Sequence, residues 1–177
     1  MKNKLMLAYF KPLALLVFCF PLNLSAANGP DPSLVDIAVK LNAPGGAAEG
    51  QFDTLIAAVL VADPAVVETL SGYGQYTVFA PTDSAFADLG LDESNVGDLD
   101  QTVHTQILLY HVAPGRRAAN SVTRKNRIRM QFGGFLKQRD GVLTDNVGRQ
   151  STIIVINQFA QNGVIHAIDT VVLPYGL

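Results

Sequence analysis

The run from Asn162 to Pro174, Asn-Gly-Val-Ile-His-Ala-Ile-Asp-Thr-Val-Val-Leu-Pro, restricts this chain more than any other stretch. Asn162-Gly163 fits a type I′ hairpin turn, because both central residues of that turn need positive φ. Ahead of it, Thr152 to Ile156 is β-branched and apolar at four of five positions. Behind it, Val164 to Leu173 is apolar at seven of ten, and Pro174 ends the strand. The pair reads as a central hairpin, buried on both faces in its apolar parts. His166 and Asp169 interrupt the second run, so each needs a hydrogen-bonding partner inside.

Residues 1–27 read as a cleavable signal peptide, and residues 28–177 as one domain. Lys2 and Lys4 precede an apolar core from about Leu13 to Leu22, and Ser25-Ala26-Ala27 supplies the small residues of a cleavage site. Roughly ten apolar residues fall short of the ~20 that span a bilayer, so no stable membrane span is expected after cleavage. The chain is expected to be secreted or periplasmic. Cys19, the only cysteine, lies inside the signal, which leaves the mature part without disulfide, thiol nucleophile or thiolate metal site. Charge is unevenly spread. From Asp31 to Asp100 there are twelve acidic residues against Lys40 alone, while Arg116 to Arg129 holds six basic residues and no acid. Such an asymmetry can orient a protein towards an anionic surface or polymer.

Helical signals fill the first half. Asp31 and Pro32 suit an N-cap and a first helical position, followed by an apolar stripe of Leu34, Ile37, Ala38 and Leu41. A second helix, near Gln51 to Ala62, would bury Phe52, Leu55, Ile56, Val59 and Leu60. Asp63-Pro64 starts a third, with Val67 and Leu70 inward. Tyr76 to Ala80 is a strand that Pro81 ends. Thr82 or Asp83 would then cap the next helix and set Phe86 against the strand. Asp98 or Asp100 caps a helix carrying Val103, Ile107, Leu108 and Tyr110. Thereafter Arg127 to Phe132 alternates, placing Ile128, Met130 and Phe132 inside and the arginines outside. Gly133-Gly134 is a turn, and Asp140-Gly141 closes a hairpin between Phe135–Arg139 and Val142–Thr144.

Three stretches together resemble the fasciclin family: Tyr76 to Phe86, Tyr110-His111 followed by Val-Ala-Pro-Gly, and the Asn162 to Pro174 run. The resemblance covers about residues 33–175. It implies an α+β fold, a β-sandwich or wedge with helices packed around it, helical in its N-terminal half and β in its C-terminal half. Within it Thr77, Thr82, Asp83, Asn162, Gly163, His166 and Asp169 are structural motif positions. A neutral imidazole at His166 must both donate and accept, and Asp83, Thr82 or Thr77 would be its partner.

Chemistry for catalysis is missing. No serine sits in a Gly-x-Ser-x-Gly elbow, no His-Glu-x-x-His or His-x-x-x-His is present, and no glycine loop cradles a phosphate. His104 and His111 stand two helical turns apart, too far to chelate one ion. We expect no enzymatic activity, no cofactor, no metal and no nucleic-acid partner. The resemblance implies adhesion or matrix interaction, through a surface protein or an anionic polysaccharide. Its implied contacts are Tyr110 and His111, which their helical position also allows to be core. Arg116, Arg117, Arg124, Lys125, Arg127 and Arg129 are the candidate anionic-polymer patch. The alternative that the resemblance offers is a carrier of an apolar small molecule, a carotenoid or lipid. Met130, Phe132, Phe135 and Leu136 would supply its apolar surface, or be ordinary core.

Overall fold

The computed structural model describes residues 31–176, so the signal segment with Cys19 lies outside the described residues. Helices come first: α1 (Leu34–Asn42), α2 (Asp53–Leu60) and α3 (Pro64–Ser71) precede strand β1 (Tyr76–Pro81). Next come α4 (Asp83–Ala87), a 3-10 turn (Val96–Asp98), α5 (Gln101–Tyr110), β2 (Val112–Pro114) and α6 (Ala119–Thr123). The rest is β: β3 (Arg127–Arg129), β4 (Phe135–Arg139), β5 (Val142–Thr144), β6 (Gln150–Ala160) and β7 (Gly163–Ile168). The fold is α+β, as expected.

One seven-stranded sheet runs β2-β1-β7-β6-β5-β4-β3. It curls, because the Gln131 N–H just beyond β3 donates to the Val112 carbonyl of β2 at 2.6 Å. Every ladder is antiparallel except β1 with β7, where Phe79 stands beside His166. Strand β7 is buried along its whole length and separates two cores. Ile165 and Ala167 join Leu34, Phe52, Leu55 and Phe86 under the helices. Ile168 joins Phe79, Tyr110, Met130, Leu136 and Leu143 inside the curl. Each such fully buried side chain contributes about 1.5–3 kcal/mol relative to an exposed one.

Several local expectations change. The α1 cap is Ser33, not Asp31: its hydroxyl accepts from the Asp36 N–H while the Asp36 carboxylate accepts from the Ser33 N–H. That reciprocal pair outcompetes a proline start. In α2, Leu60 points out at 77 % exposure, and α3 buries Val66 rather than Val67. Asp63 and Asp100 cap α3 and α5 as read. Asp83 instead reaches back thirty residues, accepting from the Asp53 and Thr54 N–H groups at 3.2 and 2.8 Å. It caps α2, while Thr82 sits at the start of α4 with its hydroxyl on Ser84.

The β6–β7 hairpin also differs. Its two-residue loop is Gln161-Asn162, with Ala160 paired to Gly163, and neither Asn162 nor Gly163 has positive φ. Gly163 is needed for close approach instead, since a Cβ there would collide with the Tyr76 carbonyl of β1. The Asn162 amide is buried, accepting from the Leu34 N–H at 2.8 Å and donating to the Leu70 and Gly72 carbonyls at 2.7 and 3.0 Å. Of the hairpin's two strands β7 alone is buried on both faces: Ile154, Ile156 and Phe159 of β6 are each about half exposed, and β6 is bulged at two places. The Asp140-Gly141 turn is as read, with φ of 53° and 88°.

Candidate functional site

Strands β3 and β4 pair with Arg127 opposite Lys137, Ile128 opposite Leu136 and Arg129 opposite Phe135. Directly opposed residues share a face. Ile128 and Leu136 therefore go inward, buried, and Arg127, Arg129, Phe135 and Lys137 go outward. Arg139 continues the outer row of β4. Strict alternation on both strands makes this face, and the same period-2 signal in Phe135–Arg139 marks Lys137 and Arg139, which the sequence reading did not single out. The Arg127 guanidinium lies 4.1 Å above the Phe135 ring. The one ion pair among the described residues joins the fully exposed Arg139 and Asp140, so Arg127, Arg129 and Lys137 have no carboxylate partner there.

Arg124 and Lys125 end α6 next to this face. Below them, Gln138 is 4 % exposed and its backbone N–H donates to the Asn126 carbonyl at 3.0 Å. With its amide nitrogen turned to the Thr123 and Lys125 carbonyls, at 3.1 and 3.2 Å, its amide oxygen takes the Gly141 N–H at 2.7 Å. The Arg124–Asn126 segment is thereby tied to β4. Arg116 and Arg117 lie apart from it. Arg116 stands 4.9 Å over Phe159 of β6, and Arg117 donates to the Pro114 carbonyl. Six expected cations thus divide into four near β3 and β4 and two on the loop after β2.

Tyr110 and His111 are interior, which removes them from direct contact with a partner. Tyr110 is fully buried, its hydroxyl donates to the Phe135 carbonyl at 3.0 Å, and burial pushes its pKa up to about 12. His111 is 4 % exposed. Its Nε2 accepts from the Val172 N–H at 3.2 Å, so the proton is on Nδ1, which donates to the Ile107 carbonyl at 2.8 Å. Burial lowers the His111 pKa to about 4, outweighing the nearby Asp145 carboxylate.

His166 is fully buried, but its partners are not Asp83, Thr82 or Thr77. Nδ1 accepts from the Asn157 N–H at 3.3 Å and Nε2 donates to the Arg117 carbonyl at 2.9 Å, while the ring stacks on Phe79. Burial lowers this pKa also. Thr77 holds the same loop, donating to the Gly115 carbonyl at 2.6 Å and accepting from the Arg117 N–H at 2.9 Å. The Asp169 carboxylate accepts from the Thr152 N–H at 2.7 Å and from the Ser151 and Thr170 hydroxyls.

The four apolar-ligand candidates do not act together as one apolar surface. Met130 and Leu136 are core, whereas Phe132 and Phe135 are each 38 % exposed, Phe132 because β3 ends at Arg129 and the chain turns through Gly133-Gly134. An apolar cavity of about 90 Å³ lies elsewhere, between α1, α2 and the sheet. Val35, Ala38, Ile56, Val59 and Val78 line it, and none of the four candidates does. Its signal was the surplus of apolar residues on α1 and α2 beyond one buried stripe. Among the described residues no group of three His, Cys, Asp or Glu side chains could hold a metal, and no single helix is long and apolar enough to cross a membrane.

The fasciclin domain family model matches residues 50–174. Protein sll1483 of Synechocystis is 42 % identical over 127 residues, covering 70 % of this chain and 67 % of that protein. Cell surface glycolipoprotein MPB83 of Mycobacterium bovis is 30 % identical over 114 residues, 63 % of this chain and 49 % of its own length. Among solved structures, a FAS1 domain pair from the insect cell adhesion molecule fasciclin I superposes with a TM-score of 0.55 at 20 % identity, over 70 % of this chain and 45 % of that one.

Proposed function

This chain belongs to the fasciclin domain family, and we propose that it works outside the cytoplasm as a non-enzymatic surface-interaction domain, adhering to anionic groups of a surface protein or polysaccharide. The observation behind this reading is the basic end of the sheet. Arg124, Lys125, Arg127, Arg129 and Lys137 gather there without a carboxylate partner among the described residues. The helical half, from Asp31 to Asp100, carries twelve of the fifteen acidic residues. A polyanion would be attracted to one end and repelled by the other, giving a single docking orientation. The relatives named as a cell surface glycolipoprotein and a cell adhesion molecule agree with a surface-associated role. Binding of the mature chain to an immobilised anionic polysaccharide tests it: retention that falls with added salt is expected, and passage at low salt as through the neutral matrix would refute it.

The cavity between α1 and α2 favours a second reading, carriage of an apolar molecule. Its walls are almost wholly apolar, and Val39 and Leu60 leave its mouth lipophilic. Mass spectrometry of an organic extract of protein from its native source decides this: a stoichiometric lipid or pigment supports carriage, and an empty extract counts against it.

A further inference from the structure

We infer that β3 and β4 form an oxyanion subsite for a linear acidic polysaccharide, with Arg127 and Lys137 as its two anchoring cations; this rests on the surface-interaction reading above. Directly opposed residues of an antiparallel pair have Cβ atoms about 4.5–5.5 Å apart, and like charges there are destabilising. Arg127 and Lys137 occupy such a position and find no carboxylate among the described residues. A carboxylate, sulfate or phosphate group between them removes the repulsion and gains both attractions.

The two cations play different parts. Lying 4.1 Å over the Phe135 ring, the Arg127 guanidinium is anchored on this face by a cation–π contact. A planar fork held this way can pair with two oxygens of one anion, whereas Lys137 supplies a mobile point charge. The residues line an open trough of about 720 Å³, with Asn126 and Thr144 at its sides and Arg139 further along β4. Arg139 follows Lys137 by two residues, about 6.8 Å along the strand; it is a third cation, held only by the exposed pair with Asp140 at 3.9 Å, for the next charge of a chain. The Asn126 amide and Thr144 hydroxyl can bond to sugar hydroxyls. Gln138 beneath ties the Asn126 segment to β4, so the trough is held from below. A bilayer fits less well, because Phe135 is the one apolar side chain in the outward rows of β3 and β4 and has Arg127 over its ring, while the trough is lined by charged and polar residues.

The test measures binding of the whole mature chain to alginate, to dextran sulfate and to neutral dextran, with phosphatidylglycerol vesicles as a fourth probe. The variants are Arg127→Lys, Lys137→Gln and Arg116→Gln. Their exposed side chains leave the core intact, checked by an unchanged melting temperature. We expect alginate or dextran sulfate to bind and neutral dextran not to. Arg127→Lys, which keeps the charge and loses the fork, should weaken binding roughly tenfold, as should Lys137→Gln. Arg116→Gln should bind within about twofold of the parent. Arg127→Lys binding like the parent, or Arg116→Gln losing as much as the strand variants, would overturn the subsite and leave the surface-interaction reading standing. Vesicles bound as tightly as the polysaccharides would overturn the choice of partner. No binding to either acidic polymer would remove both proposals.

Discussion

Acidification should destabilise this domain through His111, by an amount that follows from how its ring is held. The ring is held neutral, with Nδ1–H on the Ile107 carbonyl and Nε2 receiving the Val172 N–H. Protonation would put a second proton on Nε2, opposite an amide that is itself a donor, in a site that burial has already made hostile to charge. The folded pKa is about 4, below the ordinary 6.5. The unfolded chain therefore binds the proton more readily, and stability is full above pH 6.5 and is lost as pH falls towards 4. Linkage between those two values gives a loss of about 2 kcal/mol from pH 7 to pH 5, approaching about 3 kcal/mol at pH 4. His166 and His104 are lowered as well and act in the same direction. The histidine window is separate from that of Asp36, Asp92 and Asp169, whose lowered values make their contribution fade only below about 3.8. Urea unfolding at pH 7 and pH 5, for the parent and for His111→Gln, isolates the residue. Glutamine can keep one donor and one acceptor but does not titrate, so its profile should be flatter by about 2 kcal/mol over that interval. Parallel profiles for the two proteins would refute the reasoning.

Asn162→Ala should cost about 3–4 kcal/mol, because it strands the Leu34 N–H and the Leu70 and Gly72 carbonyls inside the protein; an unchanged urea midpoint would contradict this. His166→Ala leaves the Arg117 carbonyl and Asn157 N–H without their partner and should lower stability by about 2–3 kcal/mol, read as a clear fall in melting temperature. Asp83→Ala should cost about 1–2 kcal/mol. Since that carboxylate caps α2, the Asp53 and Thr54 amides should show faster hydrogen exchange while the amides of α4 change little.

What could be read from the chain and what could not follows the range of the interactions involved. Asp140-Gly141 was legible because both residues take the positive φ that the turn type demands, a condition local to two residues. The outward row on β3 was legible from period-2 alternation. Asn162-Gly163 carries the same two letters as a primed turn but serves other ends. Gly163 lets β7 approach β1, and Asn162 bonds α1 and the end of α3, contacts made some 90 to 130 residues away in sequence. Asp83 sat beside a helix start, yet the start it caps lies thirty residues earlier. His166 was recognised as needing two partners, but both proved to be backbone groups, which no residue type announces. The cavity under α1 and α2 is walled jointly by those helices and the sheet, so the apolar surplus on each helix signals it while spacing along either one does not place it.

The position of β7 also governs when the domain can fold at all. It is made last, yet it lies between β1 and β6 and faces both cores. Its partner β1 precedes it by almost ninety residues. Until Gly163 to Ile168 has left the ribosome, β1 lacks its inner neighbour and the helices have no floor to pack on. The nascent domain therefore stays open through nearly its whole synthesis. A chain in that condition can be threaded through a narrow channel without first being unfolded. The loss of Gly163 to Leu177, fifteen residues, would remove the middle of the structure, not its edge.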